Sequence, residues 1–200
     1  MHQLMGEKCY CFYFGSQSEG TTTPGLNSDI DLLQSDKKII IMKDWSDREA
    51  RMNNLLMFRE KITPPQQYML QTIKRDTPEV VTRINDERWV RKDPGQELLS
   101  SERWNQDSEQ ELSMQGREIT KQGPSGSHVP NWDIVYAIQV CKPLPEIQYW
   151  ITRCGGKHWP PSNLLEAARV APSFLVLLVI RTVITSAKNS DCLRILLKEC

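Results

Sequence analysis

The chain has 200 residues, room for one domain or a little more. Hydrophobic residues make up 39%, and Lys+Arg and Asp+Glu balance at 25 each. A core can therefore form, and a zero net charge argues against holding nucleic acid by bulk electrostatics, although a local basic patch stays open.

The longest apolar run, Phe174 to Ile180, stops at Arg181. That is far short of the roughly 20 residues that span a bilayer, so no membrane role is expected. The opening "MHQLMGEKCYCFYFG" is too mixed for a secretory signal. Six cysteines (Cys9, Cys11, Cys141, Cys154, Cys192, Cys200) lack a framework spacing. They read as reduced thiols of a cytoplasmic protein.

In chain order, Lys8 to Phe14 is aromatic-rich and predicts a short strand, which Gly15-Ser16 turns. Thr21 to Asn27 is loop by its Thr, Pro, Gly and Asn content. Ser28 to Leu33 alternates, with Asp29 and Asp31 on one side and Ile30 and Leu32 on the other. Lys37 to Lys43 is β-branched and predicts a partner strand. Arg48 to Glu60 reads as one helix or a pair of turns. Gln66 to Lys74 reads as a helix opened by Pro64 and Pro65 and capped by Thr63. Thr77 to Ser101 has no assignment, and Ser101 to Gln115 is charged and weakly helical. Gly123 to Ser127 reads as loop and Trp132 to Val140 as a clear strand. Glu146 to Arg153 and Asn163 to Ala171 read as short helices. This order fits α+β or mixed α/β.

The chemistry lies in the first strand pair. Two carboxylates at i and i+2 on a strand share a face and do not ionise together cheaply without a cation between them. Carboxylates, waters and substrate phosphates are the ligands Mg²⁺ prefers. A Gly-Ser turn lets backbone N–H groups and a hydroxyl approach a phosphate. Asp133, opening the strand "WDIVYAIQV", is the later acidic residue in a matching context. A third carboxylate there would complete a two-metal arrangement for phosphoryl (nucleotidyl) transfer. The plain alternative is that an Asp-x-Asp pair is a solvated strand face.

"FGSQSEGTTTPGLNSDIDLL" resembles the Gly-Ser…Asp-x-Asp signature of the nucleotidyltransferase fold. In its full form it is similar to the Mab-twenty-one-like branch, which includes cyclic GMP–AMP synthase and the cGAS-like receptors of animals. "NLLMFREKITPPQQYMLQTIKRDTPE", "ERWVRKDPGQELLSSERW" and "GPSGSHVPNWDIVYAIQVCKPLPEIQYWITRCGGKHWPPSNLLEAAR" look most like the molluscan members. The likeness runs from about Tyr13 to Phe174. Its more specific positions are Asp133, Pro145, Trp150, Arg153, Trp159 and Pro160.

The resemblance implies an α+β nucleotidyltransferase-fold core, a mixed twisted sheet with flanking helices. It implies that Asp29, Asp31 and Asp133 are catalytic and hold Mg²⁺ or Mn²⁺, and that Gly15 and Ser16 contact nucleotide phosphates. Active relatives join ATP and GTP, or two like nucleotides, into cyclic dinucleotides in innate immune sensing of double-stranded nucleic acid. Other relatives have no known catalysis, so a nucleotide- or partner-binding role, or a fragment with no function of its own, is the alternative.

Family members also carry a spine helix before the first strand and a helical lobe at the end, and neither is legible here. Nucleic-acid sensing would then belong to a full-length form. Residues 1–176 read as the core and 177–200 as an atypical tail. Suitable codons from Leu177 onward, read one nucleotide earlier, give Pro-Val-Gly-His and other family-like residues, so a frameshift near Val176 is the expectation.

Other motifs carry less. Cys141, Cys154 and His158 lack zinc-finger spacing. The six tryptophans are too dispersed for a stacking platform. Cys9 and Cys11 share a strand face as buried thiols. Lys37, Lys38 and Lys43 suit a solvated strand edge.

Overall fold

The computed structural model describes residues 3–5, 8–15, 20, 29–61, 67–74, 76–82, 84–92, 96–114, 119–122, 125–127, 129–156, 158, 160–177 and 193–194. Among them the chain is mixed α+β, strand-rich with few helices. The strands are β1 (Gln3–Met5), β2 (Cys9–Phe14), β3 (Ile30–Met42), β4 (Asn53–Phe58), β5 (Gln67–Thr72), β6 (Trp89–Lys92) and β7 (Gln96–Leu99). They continue with β8 (Thr120–Gln122), β9 (Ser125–Ser127), β10 (Trp132–Val140), β11 (Ser173–Val176) and β12 (Leu193–Arg194). The helices are α1 (Ser101–Met114), α2 (Pro145–Cys154) and α3 (Ser162–Val170). No helix among the described residues is long and apolar enough to cross a membrane.

The long strand β3 organises the twisted sheet. It pairs antiparallel with β2 and parallel with β4 and β10. From β4 the pairing passes to β5, then β12, β11 and β10, and so returns to β3. The hairpin of β6 and β7 hangs from β5, and β9 and β8 extend from β10.

One continuous β3 replaces the two strands expected at Ser28–Leu33 and Lys37–Lys43. The polar break between them is a bulge. Ser35 pairs with Ala137 and Ile40 with Gln139, so β3 inserts extra residues between those two pairs. Within the bulge the Lys38 amide donates to Asp36 Oδ1 at 2.7 Å, a local turn bond. The strand changes neighbour there, from β2 to β4.

Two more expectations are corrected. Part of Arg48–Glu60 is strand β4. The turn before it is closed by Asn54, whose amide donates to the carbonyls of Glu49 and Met52 at 2.8 and 2.9 Å and accepts from the Glu49 amide at 2.9 Å. Gln66–Lys74 contains β5 rather than a helix. Helix-favouring Gln, Met and Leu are overridden because Tyr68, Met69, Leu70 and Gln71 are all buried, which suits a strand covered on both faces. Thr63, Pro64 and Pro65 lie outside the described residues, as does the Thr21–Asn27 loop. Ser125–Ser127 of the expected 123–127 loop is strand β9, and the unassigned Thr77–Ser101 supplies β6 and β7.

The remaining elements agree closely with expectation. The strand at Trp132–Val140 is β10. Helix α2 starts at Pro145, where a missing N–H costs nothing. Helix α1 is capped by Ser100, whose Oγ accepts the Arg103 amide at 3.3 Å.

The core forms where the parallel strands converge. Val140, Ile41 and Leu55 stand in one register row, and Met57 pairs with Leu70. These join Tyr68, Leu99, Ile138, Leu144, Leu175 and Leu177 in one buried cluster, with Trp89, Trp104 and Ile147 packed against it. Leu177, the first residue of the expected tail, is buried, and Leu193–Arg194 pairs with β5 and β11. The rest of 178–200 lies outside the described residues.

Candidate functional site

Three strands bring two of the sequence-selected residues, Asp31 and Asp133, into one row. Phe14 pairs with Asp31 across β2 and β3, and Asp31 pairs with Asp133 across β3 and β10. Directly paired residues share a sheet face, so the two aspartates stand side by side on the face opposite Leu32 and Ile134. Leu32 and Ile134 are buried, whereas Asp31 and Asp133 are half-buried. The Ile30 amide donates to the Asn131 carbonyl at 2.8 Å, which ties the start of β3 to the turn before β10. Asn131 adopts φ 62°, a left-handed turn conformation that Asn tolerates. On the opposite face Tyr13 and Trp132 meet edge to face, ring centroids 6.0 Å apart, and fix the same corner from behind.

Gly15 ends β2 at φ +83°, a left-handed conformation that favours glycine. A Cβ built there would stand 2.5 Å from Asp31 Oδ2 and 3.4 Å from its Cγ. The Asp31 carboxylate thus fills the space a side chain would need. Ser16, the other turn residue, lies outside the described residues. Asp29 is described and exposed, one residue ahead of β3.

An ion of the Mg²⁺ or Mn²⁺ class takes oxygen donors. The neighbouring carboxylates of Asp31 and Asp133, and the cradle at Gly15 that a Cβ would fill, fit that preference. Among the described residues, no three His, Cys, Asp or Glu side chains gather as a group that could hold a metal ion. Asp29 therefore does not complete a three-ligand set in this arrangement.

Other chemically notable groups lie away from this row and have no signal in the sequence, because their partners are distant along the chain. Tyr68 on β5 donates its hydroxyl to Glu146 Oε1 of α2 at 2.6 Å. Arg59 lies over the Tyr68 ring, its Cζ 5.6 Å from the centroid. Burial, then the hydrogen bond and charge of Glu146, push the Tyr68 phenol up to about 12. Asp47, in the single 3-10 turn Trp45–Asp47, is buried and ion-paired with Lys142. Burial raises the Asp47 carboxyl, but the Lys142 hydrogen bond and charge and the Lys43 amide outweigh it and hold it below its ordinary value. The adjacent Cys141 thiol is raised, first by burial and then by the Asp47 charge.

A cavity of about 540 Å³ opens beside the β6–β7 hairpin, lined by Ile39, Leu55, Ile73, Trp89 and Trp104. Two of its polar neighbours, Arg88 and Asn54, are already engaged. Arg88 stacks over Trp104 at 5.1 Å and donates through Nε to both Asp86 oxygens at 3.0 Å. Asn54 spends its amide on the turn before β4.

No family model and no curated protein matches this chain.

Proposed function

We propose that this chain is the core of a metal-dependent nucleotidyltransferase of the cGAS-like type, cytoplasmic, acting on ATP or GTP. The observation that carries the reading is the pairing of Asp31 with Asp133 on adjacent parallel strands, with Gly15 closed onto the Asp31 carboxylate. Asp31 and Asp133, paired across β3 and β10, would hold the Mg²⁺ or Mn²⁺ ions. When bound, such ions neutralise phosphate charge and lower the pKa of an attacking hydroxyl.

The chain's own residues supply positioning. Asp31 is set by its register with β10 and by the turn at Gly15, so its carboxylate has little freedom to swing. Asp133 is set by the same register. Phe14 stands in the same row and gives the site one apolar wall beside the carboxylates. Gly15 serves Asp31 first, and its backbone would be open to a phosphate held beside that carboxylate.

The test is Mg²⁺- or Mn²⁺-dependent conversion of ATP and GTP by the purified chain, with and without double-stranded DNA or RNA. Product that disappears in Asp31→Asn supports the proposal. A lack of product under every condition rejects turnover by this chain.

A second reading is binding of nucleotide or a partner without turnover. It is favoured by the exposed Asp29 and by the absence, among the described residues, of a gathered three-carboxylate group. Thermal stabilisation by Mg²⁺–nucleotide, lost in Asp31→Asn and unaccompanied by product, distinguishes it.

A further inference from the structure

Strand β2 carries two thiols that the nucleotide site does not use. Cys9 and Cys11 are alternate residues of an extended strand, so both project from the same face. Their sulfurs lie 3.7 Å apart. Both side chains are partly exposed, so solvent and small solutes reach them.

This separation selects among the things two thiols can do. A disulfide needs sulfurs about 2.05 Å apart and Cα atoms usually within about 6.8 Å. Two residues of extended strand already span about 6.4–6.8 Å, the upper end of that range. Oxidation would therefore demand that β2 contract between its pairs with β1 and β3. A single soft ion bridging the two sulfurs makes no such demand. With metal–sulfur bonds of about 2.3 Å at the tetrahedral angle, two thiolates stand about 3.8 Å apart. The observed spacing already matches one edge of that tetrahedron.

From this geometry we infer that Cys9 and Cys11 form a two-thiolate site for a soft divalent cation of the zinc and cadmium class. Among the described residues no third ligand of the His, Cys, Asp or Glu type joins them in a metal-holding group. Two charged groups act beside the pair, Lys37 and Asp36. Lys37 lies over the Tyr10 ring, its Nζ 5.0 Å from the centroid. Its charge favours the Cys11 thiolate. Asp36 stands opposite Cys9 in register and is exposed. Without metal, burial and the neighbouring Cys9 push the Cys11 thiol up to about 11, so its proton must leave when an ion binds.

Cadmium is the probe, added to the full chain under a non-thiol reductant. The expected result is one cadmium per chain, with thiolate-to-metal ultraviolet absorbance and proton release on binding at neutral pH. Cys11→Ser and Cys9→Ser should each abolish the absorbance, whereas Cys141→Ser and Cys154→Ser should leave it unchanged. Melting curves confirm that each variant is folded. Intact mass after treatment with a monosubstituted trivalent arsenical tests the native pair without mutation, and one adduct bridging two thiols on the peptide spanning β2 is expected. Absorbance that survives in Cys9→Ser/Cys11→Ser, or an adduct confined to other cysteines, overturns the proposal. So does a native chain that binds no cadmium.

Discussion

The two halves of β3 do opposite work with the same backbone. From Ile30 to Ser35 the strand lies between β2 and β10 and keeps one face partly open, where Asp31 stands beside Asp133. From Ile39 to Met42 it lies between β4 and β10, and Ile41 and Met42 are completely buried. Alternation marks the first half and an unbroken apolar run the second. The difference follows from what covers each half. A strand with one solvated face can hold carboxylates, whereas one covered on both faces cannot do so without a large desolvation cost. The bulge at Asp36–Ile39 separates the two regimes and lets one strand serve both.

The buried end of β3 is the more sensitive to substitution. Ile41→Ala should cost about 2–5 kcal/mol in chemical denaturation, because it opens a cavity in the row Val140–Ile41–Leu55. Leu33→Ala, in the half-buried part of the same strand, should cost no more than about 1–2 kcal/mol. Equal losses would show that the two halves are equally packed.

At the open end the expected effect falls on chemistry rather than folding. Asp31→Asn should lower nucleotide turnover, or Mg²⁺–nucleotide affinity if there is no turnover, by about 10²-fold or more, with the melting temperature little changed. Gly15→Ala should do two things at once. It forces a left-handed residue, at about 1–2 kcal/mol, and it pushes a methyl group against Asp31 Oδ2. Nucleotide binding should fall along with stability. A Gly15→Ala chain that melts and binds like the parent would show that the turn relaxes freely and does not position Asp31.

Smaller effects sharpen the account of the buried end through pH. The folded-state carboxyl of Asp47 is held below its ordinary value of 3.8. Its contribution to stability is therefore present above that value and lost as pH falls through the folded pKa. Asp47→Asn should flatten the acid side of a melting-temperature profile, and an unchanged acid slope would count against the Lys142 pairing. Tyr68 has the opposite sign. Its pKa rises from 10.0 to about 12, so its contribution is full below pH 10 and is lost as pH climbs toward 12. Tyr68→Phe should cost about 1 kcal/mol at neutral pH and remove that alkaline loss.

Much of the local order was legible in the residues. The strand at Trp132–Val140 and the helices at Glu146–Arg153 and Asn163–Ala171 follow from short-range patterns, and the described elements match them within a residue or two. Strands β4 and β5 were not legible. Their Leu, Met and Gln content suits a helix, and only burial between neighbouring strands makes them extended. The candidate site divides in the same way. Asp29, Asp31 and Asp133 could be chosen by residue type and alternation, and Gly15 by its place at the end of an aromatic strand. That Asp133 stands beside Asp31, and that Gly15 is glycine because a carboxylate occupies its side-chain space, depends on pairings between distant segments.

Composition, alternation and turn residues by themselves determined a chain of α+β or mixed α/β class with carboxylates on a strand face. Tertiary structure alone decided which carboxylates meet, where the phenol of Tyr68 finds Glu146 and where the thiols of β2 stand relative to the sheet. The physical reason is range. Propensity and periodicity act over a few residues, whereas strand pairing and burial join groups separated by a hundred or more.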